Sequence, residues 1–328
     1  MTANKNFKRR VRARALKTGE SYTAALRHFQ KIPSRDSMPN PDPIRVAAAQ
    51  LDTPGDPGAA AALHRAGRDI RQLMSRAHEQ GALLIHFCEG AICAPHKRVM
   101  SSSPGTVAEA DWTRFDWDVQ QGELRAIAGH AASLKLWTVV GAVHRLTAPH
   151  RPHNSLYVID DHGRVITRYD ERMLSNTKVS YMYTPGTSPV TFDVDGDGVR
   201  FGCALGMESA YPELFLDYER AGVHCVLLST LGPGASFALQ AQGHASSNSY
   251  WISYATCAAD AHVAPSGIVG PDGAWWARCA ATGAAAVAIA DIDREHENLA
   301  RPWRRTARGD LYAAAAANQD SRTSRDSF

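Results

Sequence analysis

Glu89 of this 328-residue chain follows an apolar run that is typical of a buried strand, and two further charged residues of interest are Glu171 and Lys178. Carboxylates in such places can act as general bases or acids, and a lysine beside them can stabilise a developing oxyanion. Together the three residues carry a formal charge of −1. Each of them could also be a solvated loop charge, so this chemistry depends on a tertiary structure that brings them together.

A fourth position of interest lies in the segment Val199–Phe215, which combines a buried strand, a sharp turn and a helix that begins at Pro212. In α/β enzymes a turn of this kind presents a nucleophilic side chain clear of the sheet edge. Here the turn contains Gly206, which has no side chain. The segment therefore has the form of a nucleophile segment without its nucleophile.

The same segment is similar to the nucleophile segment of the nitrilase superfamily, the carbon-nitrogen hydrolases, in which a cysteine stands six residues before a Pro-Glu pair. Counting six residues back from Pro212 reaches Gly206. Further motifs follow the family order between residues 44 and 293: Val46–Gln50, Asn154-Ser155, Thr184-Pro-Gly186, Ser266-Gly267 and Pro271-Asp-Gly273. The resemblance implies an α/β fold, an α-β-β-α sandwich of two mixed sheets with helices outside.

The resemblance also implies roles for the charged residues, because the family uses a cysteine nucleophile, two glutamates and a lysine. Glu89 matches the first glutamate, the general base. In the segment Tyr169–Leu174, Glu171 occupies the position of the family lysine, and Lys178 stands where some branches have the second glutamate. The two charges are exchanged in this chain, or they have drifted after loss of activity, and both interpretations stay open.

Other side chains near this segment are alternative nucleophiles. Cys203 lies three positions before Gly206, and alternation along a strand places it on the opposite face. Cys93 lies four positions after Glu89. Ser209 lies in the turn, where its hydroxyl would need a positioned base. We therefore expect no ordinary thiol catalysis.

Glu208 and Asn248 are the predicted binding residues. Glu208 could instead activate a water molecule, and core packing is the favoured explanation of the stretch that begins at Asn248. The segment Asp193–Gly198 begins like a calcium loop, but Ala204 stands where a bidentate glutamate is required, so we predict a hairpin turn there. The sequence predicts neither a metal ion nor a cofactor.

The composition, 44% hydrophobic and 21% charged, is ordinary for a globular protein. No apolar run reaches the 18 or so residues of a membrane span, and the basic N-terminus does not lead into a secretory signal. The six cysteines lack metal-binding spacing, which favours reduced thiols. We therefore expect a cytoplasmic protein without a membrane partner.

The distribution of charge and proline predicts four regions. They are a basic, helical N-terminal arm (1–31), a Pro-rich linker (32–43), a nitrilase-like domain (44–312) and a disordered tail (313–328). Residues 1–40 contain ten Lys or Arg and two acidic residues, a net charge of +8, which leaves −5 for the remainder of a chain whose total is +3. Such an arm could contact nucleic acid through counterion release, but we do not expect a nucleic-acid partner.

Two functions are consistent with these residues. The first is a nitrilase-fold pseudoenzyme that binds a small amide, carbamoyl or amine ligand, or that serves as a regulatory subunit. The second is an active enzyme on a carbon-nitrogen bond that uses Glu89, Glu171 and Lys178 without a thiol. The resemblance also implies a homodimer or larger assembly through the helix at 212–220, where Phe215, Leu216 and Tyr218 offer apolar groups on more than one side.

Overall fold

The computed structural model describes residues 3–19, 22, 25, 43–53, 59–93, 111–194, 198–232, 234–294, 300–307 and 322. These residues form twelve strands and six α-helices. The strands are β1 (Ile44–Gln50), β2 (Leu84–His86), β3 (Trp137–His144), β4 (His153–Ile159), β5 (Val165–Asp170), β6 (Thr191–Val194), β7 (Val199–Leu205), β8 (Cys225–Ser229), β9 (Trp251–Ala255), β10 (Gly267–Val269), β11 (Trp275–Arg278) and β12 (Ala286–Ile292). The helices are α1 (Ala3–Thr18), α2 (Ala60–Glu79), α3 (Trp117–Leu134), α4 (Pro212–Arg220), α5 (Ala235–Asn248) and α6 (Ala300–Thr306).

The strands form two six-stranded sheets, which confirms the predicted fold class. The order is β12-β1-β2-β3-β4-β5 in the first sheet and β11-β10-β9-β8-β7-β6 in the second. Each sheet contains three neighbouring parallel strands, β1-β2-β3 and β7-β8-β9, and antiparallel strands flank them. Residues that follow parallel strands lie at the edge of a sheet where α/β proteins place their sites.

Apolar side chains hold four layers together, in the order helix, sheet, sheet, helix. One cluster joins α2 and α3 to the first sheet, a second lies between the two sheets, and a third joins α4 and α5 to the second sheet. In α2 the apolar residues that recur at helical spacing are all buried: Leu63, Ala66, Ile70, Leu73, Met74 and Ala77. Removal of these side chains from water is the main source of stability for such a sandwich.

A buried histidine lies between the two sheets. His86 of β2 contacts the hydroxyls of Ser229 (Nε2 to Oγ, 2.7 Å) and Ser253 (Nδ1 to Oγ, 3.1 Å). Since Ser229 Oγ donates to the Phe87 carbonyl, it accepts the proton from Nε2, and Nδ1 accepts from Ser253. Burial lowers the pKa of His86 to about 3, so the ring is neutral. This link between the sheets was not predicted from the sequence.

Some elements differ from the sequence-based expectation. The short strands β10 and β11 and the helix α6 were not predicted, because three to seven residues show too little periodicity. The sequence pattern predicts a helix over 240–247 and a basic helix from Arg9, whereas α5 spans Ala235–Asn248 and α1 begins at Ala3. The proposed linker and tail lie outside the described residues, apart from Pro43 and Arg322.

The chain divides into two units, residues 1–42 and 43–328. In the first unit, α1 contains seven Lys or Arg and no acidic residue. The exposed residues of α1 include Lys8, Arg9 and Arg12. The second unit contains both sheets. None of the described helices combines the length and apolar character that crossing a membrane requires.

The apolar residues of α4 are buried within their own subunit. Phe215 and Tyr218 are 0% and 1% exposed and pack in the cluster under the second sheet, whereas Leu216 is half-buried. The expectation that these residues offer apolar surface on more than one side is therefore wrong for Phe215 and Tyr218, and only Leu216 of the three is partly exposed. The reason is that α4 lies over β7 and β8 and directs both rings into that core.

Candidate functional site

The loop after β2 places Glu89. Its backbone lies against β3 at Gly141, where a Cβ atom would be 2.3 Å from the Cys88 carbonyl oxygen and 2.6 Å from the Gly90 nitrogen. A further backbone hydrogen bond runs from Ile92 N to Gly141 O (3.1 Å). The absence of a side chain at Gly141 therefore permits the close approach that orients the Glu89 carboxylate.

Glu171 is placed by the end of β5 and by two backbone hydrogen bonds. Its N–H donates to Asn154 O (2.9 Å), and its carbonyl accepts from Gly186 N (2.8 Å). A Cβ at Gly186 would lie 2.3 Å from the Asp170 carbonyl oxygen, so this contact also requires glycine. The following chain forms the π-helical turn Lys178–Met182, whose first residue is Lys178.

The structure brings these three charged side chains into one buried cluster, which we call the Glu-Lys-Glu cluster (Glu89, Lys178 and Glu171). Lys178 Nζ lies 2.7 Å and 3.0 Å from the two oxygens of Glu171 and also contacts Glu89 Oε1. Asn154 Nδ2 donates to Glu89 Oε1 (2.9 Å) and to Glu171 Oε2 (2.6 Å). All four side chains are buried, with Glu171 0% and Lys178 9% exposed. Asn154 thus bridges the two carboxylates, a role that sequence analysis missed.

The cluster contains two carboxylates and one ammonium. Burial raises the pKa of Glu171 to about 8, Lys178 opposes this rise, and the charge of Glu89 adds to it. Burial lowers the pKa of Lys178, but the charges of Glu89 and Glu171 outweigh it and hold that pKa above its ordinary value. At neutral pH the lysine is therefore charged and Glu171 retains its proton. The formal charge of −1 develops only as the pH rises through the pKa of Glu171.

Gly206 lies at the cluster, directly after β7. Its φ of +44° is in the left-handed region that favours glycine. A Cβ atom at this position would lie 2.8 Å from Glu89 Oε2 and 3.5 Å from Lys178 Nζ. A side chain here would thus point at the base and the ammonium. The structure brings together the four residues that sequence analysis placed in catalytic positions: Glu89, Glu171, Lys178 and Gly206.

Glu208, a predicted binding residue, is engaged by the protein itself. It is 0% exposed, and its carboxylate lies 2.6 Å and 2.7 Å from the hydroxyl of Tyr169. It also accepts hydrogen bonds from the backbone N–H groups of Leu205 (2.8 Å), Arg172 (2.7 Å) and Met173 (3.3 Å). These contacts tie the turn that contains Gly206 to the segment that follows Glu171, which makes Glu208 a positioning residue.

Asn248 and Ser209 make contacts outside the cluster. Asn248 Nδ2 donates to His244 O (3.1 Å) and to the Tyr250 hydroxyl (3.4 Å), which agrees with a packing role at the end of α5. Ser209 Oγ lies 2.6 Å from Gln240 Oε1 and 3.0 Å from Gly206 O. Neither side chain has a hydrogen bond to Glu89, Glu171 or Lys178 within the described ranges.

One group of three potential metal ligands occurs among the described residues. Asp160, Asp161 and His162 lie in the hairpin turn between β4 and β5. Asp160 already accepts hydrogen bonds from the N–H groups of His162 (3.0 Å) and Arg164 (2.8 Å) and pairs with the Arg164 guanidinium. The acidic residues are therefore explained by hydrogen bonds that stabilise the hairpin turn.

A model of the carbon-nitrogen hydrolase family matches residues 45–304. Among solved structures, the amidase from Nesterenkonia sp. has a TM-score of 0.64 and 17% identity, over 82% of this chain and 98% of that chain. A cysteine-to-alanine variant of the Nesterenkonia AN1 amidase, described as a nitrilase superfamily protein, has a TM-score of 0.64 and 18% identity, over 82% of this chain and 99% of that chain. The same type of variant in complex with butyramide has the same TM-score, identity and coverage.

A search among curated proteins finds no match. At this identity the structures show the fold, and the family model covers most of the sequence. The chain therefore belongs to the carbon-nitrogen hydrolase family of the nitrilase superfamily.

Proposed function

We propose that this protein binds a small amide, carbamoyl or amine ligand at the Glu-Lys-Glu cluster without ordinary amidase turnover. The observation that carries the proposal is the position of Gly206. A Cβ there would lie 2.8 Å from a glutamate oxygen and 3.5 Å from a lysine nitrogen, where a nucleophile would have its base and its ammonium. Because glycine has no side chain, the charged groups remain and the nucleophile does not.

The cysteines do not offer a substitute nucleophile. All six are buried, and burial raises the pKa of each of their thiols: Cys88, Cys93, Cys203, Cys225, Cys257 (about 12) and Cys279 (about 11). Since the thiolate is the attacking species, such groups are inert at neutral pH. Cys203 lies in the core between the sheets, and Cys93 packs with Leu63 and Tyr183.

Lys178 is also poorly available as an oxyanion donor. Its ammonium has three protons, and three carboxylate oxygens of Glu89 and Glu171 surround it. Asn154 donates its amide protons to the same two carboxylates. A tetrahedral oxyanion would therefore have to displace existing hydrogen bonds, whereas effective oxyanion sites have donors already free and aimed.

The ligand class is supported by what similar structures contain. One Nesterenkonia amidase variant holds butyramide, and another shows addition of acrylamide at the active-site cysteine. Both ligands are small primary amides. We extend this class to the present chain as a proposal, on the basis of the shared fold and the buried carboxylates near Gly206.

A second candidate is an enzyme that cleaves a carbon-nitrogen bond with Glu89, Glu171 and Lys178 and without a thiol. The observation in its favour is that Glu89 Oε2 faces the position above Gly206. There it could accept a proton from a water molecule that attacks the carbonyl carbon of a bound amide. In this reaction the C–N bond would break and the amine would leave with a proton.

Ligand binding and turnover measured side by side separate the two functions. We expect thermal shift with acetamide, butyramide and simple amines to identify a binder, and an ammonia assay on the same samples to show no enzymatic release. Iodoacetamide should not label the native protein stoichiometrically, because all six thiols are buried. Rapid labelling of Cys93 or Cys203, mapped by mass spectrometry, would contradict the proposal. Ammonia release at ordinary amidase rates would favour the second candidate.

We also propose that the protein is a cytoplasmic homodimer or larger assembly. The free thiols agree with a reducing compartment. The proposal of a dimer is supported by the family resemblance alone, because Phe215 and Tyr218 are buried within the chain. Sedimentation that gives a monomer across micromolar concentrations would overturn it.

A further inference from the structure

One oxygen of Glu89 has no hydrogen-bond donor among the described residues. Oε1 accepts from Lys178 and Asn154, whereas Oε2 lies 2.8 Å from the position that a Cβ of Gly206 would occupy. Glu89 as a whole is only 5% exposed. Oε2 is therefore the carboxylate oxygen that no described donor occupies, on the side of the cluster where Gly206 has no side chain.

We infer that the ligand group bound above Gly206 is a protonated nitrogen, an amidinium, guanidinium or alkylammonium, whose N–H donates to Glu89 Oε2. The inference rests on the proposed ligand-binding function and narrows its ligand class. The ideal Cβ position of Gly206 lies 2.8 Å from Oε2, which shows that this oxygen faces the side that lacks a side chain. A ligand N–H in contact with Gly206 could donate to it in a charge-assisted hydrogen bond of about 2.7–2.9 Å.

The charge balance of the cluster favours a cation over a neutral amide. Glu89 and Glu171 are two potential negative charges, and Lys178 supplies one positive charge. The other titratable groups that interact with them are Tyr183, Cys88 and Cys93. Each is buried with its pKa raised, so each stays neutral. A second cation would complete the balance and allow both carboxylates to be ionised.

Lys178 does not reverse this preference. Its Nζ lies 3.5 Å from the position that a Cβ of Gly206 would occupy, and the charge of Lys178 alone would repel a cation bound near it. However, that ammonium contacts both carboxylates, and once Glu171 has released its proton the field above Gly206 sums two negative charges and one positive charge. A neutral amide would need a donor for its carbonyl oxygen, and the protons of Lys178 are directed at carboxylate oxygens.

Binding of a cation also has a proton linkage. At neutral pH the excess negative charge is balanced by the proton on Glu171, whose pKa burial raises to about 8. A bound cation takes over that role and releases the proton to solvent. Cation affinity should therefore rise as the pH increases from 6 to 9, while the affinity of a neutral amide should change little.

Acetamidinium and acetamide test the inference because they have the same shape and differ in charge. We expect calorimetry at pH 7 and matched chloride to show at least tenfold tighter binding of acetamidinium. Its heat should depend on the ionisation enthalpy of the buffer, because a proton is released. Glu171→Gln should reduce the preference to within about twofold, and Glu213→Gln, an equal charge change on the exposed surface of α4, should preserve it.

The outcomes separate this inference from the proposed function. Equal or tighter binding of acetamide, with no ammonia release, would overturn the inference that the ligand is a cation. It would still support an amide-binding protein. Ordinary release of ammonia from acetamide would overturn the proposed function, and the ranking of the two affinities would still decide the inference. If neither acetamidinium nor acetamide binds, the inference is overturned. If butyramide and simple amines also fail to bind, the proposed function is overturned with it.

Discussion

At the scale of single residues, the site is defined by a glycine surrounded by charges. Gly206 has φ +44°, and its missing Cβ would lie 2.8 Å from Glu89 Oε2. Glu171 and Lys178 pair with each other, as expected if their charges are exchanged relative to the family pattern. A buried pair of this kind is retained together because removal of one partner strands the other charge, at about 3–5 kcal/mol.

We predict that Gly206→Cys alone does not produce amidase activity, because Glu171 stands where the family resemblance places the lysine. The triple change Gly206→Cys, Glu171→Lys, Lys178→Glu should be faster than the single change in an ammonia assay with acetamide. Positive φ should cost roughly 1–2 kcal/mol in both Gly206→Cys and Gly206→Ala, so the alanine variant controls for strain. Turnover by the single cysteine variant would show that Glu171 is wrongly placed in the lysine position.

A second residue-scale prediction concerns pH. The ordinary pKa of a glutamate is 4.5, and burial raises that of Glu171 to about 8 in the folded protein. Between these values the folded state binds more protons than the unfolded state, so this group's contribution to the free energy of unfolding decreases as pH rises through 8. Glu171→Gln should flatten the decrease in urea denaturation between pH 5.5 and 8.5. His86 contributes an opposite slope below pH 6.5 but is present in both proteins.

The control for this comparison is Glu213→Gln, which removes an exposed carboxylate and should keep the wild-type pH dependence. Parallel stability curves for Glu171→Gln and wild type would mean that Glu171 is ionised throughout this pH range.

At the scale of elements, parallel strands and tight backbone contacts place the charged groups. The loop after β2 presents Glu89, the end of β5 presents Glu171, and the turn after β7 presents Gly206. Glu208 holds the last two segments together through Leu205 and Arg172. The cluster therefore depends on backbone approaches that only glycine permits.

We predict that Gly141→Ala destabilises the protein by about 1–3 kcal/mol, since its Cβ would meet backbone atoms of the Glu89 loop at 2.3 Å and 2.6 Å. Ligand binding should weaken with it because Glu89 moves. The matched control is Gly129→Ala in α3, where the added Cβ has no atom within 4 Å apart from its chain neighbours and the backbone of its own helix. That change should be neutral or stabilising by up to about 1 kcal/mol. Equal unfolding midpoints for the two variants in urea would contradict the proposed role of Gly141.

At the scale of the whole molecule, the family match at residues 45–304 lies within the second unit, 43–328. That unit contains both sheets and the Glu-Lys-Glu cluster. The basic helix α1 belongs to the first unit, which has no part in the described cluster.

We therefore predict that removal of residues 1–43 leaves the fold intact. The truncated protein should remain soluble and keep the circular dichroism spectrum expected for its sheets and helices. A decrease in melting temperature of more than about 10 °C, which corresponds to a few kcal/mol at this size, would show that the first unit stabilises the second.

The sequence by itself determined most of the strands and helices, the family and the presence of a glycine at position 206. These features depend on local patterns. The sequence predicts strands over 44–50 and 225–229, and β1 and β8 have these bounds because apolar runs and turn residues mark strand ends. Only the tertiary structure decided which polar groups meet. Asn154 lies 65 residues from Glu89 along the chain, and its contact depends on strand order and register, which local periodicity does not encode. For the same reason, the engagement of Glu208 by Tyr169 and the burial of Phe215 in its own subunit became visible only in the folded chain.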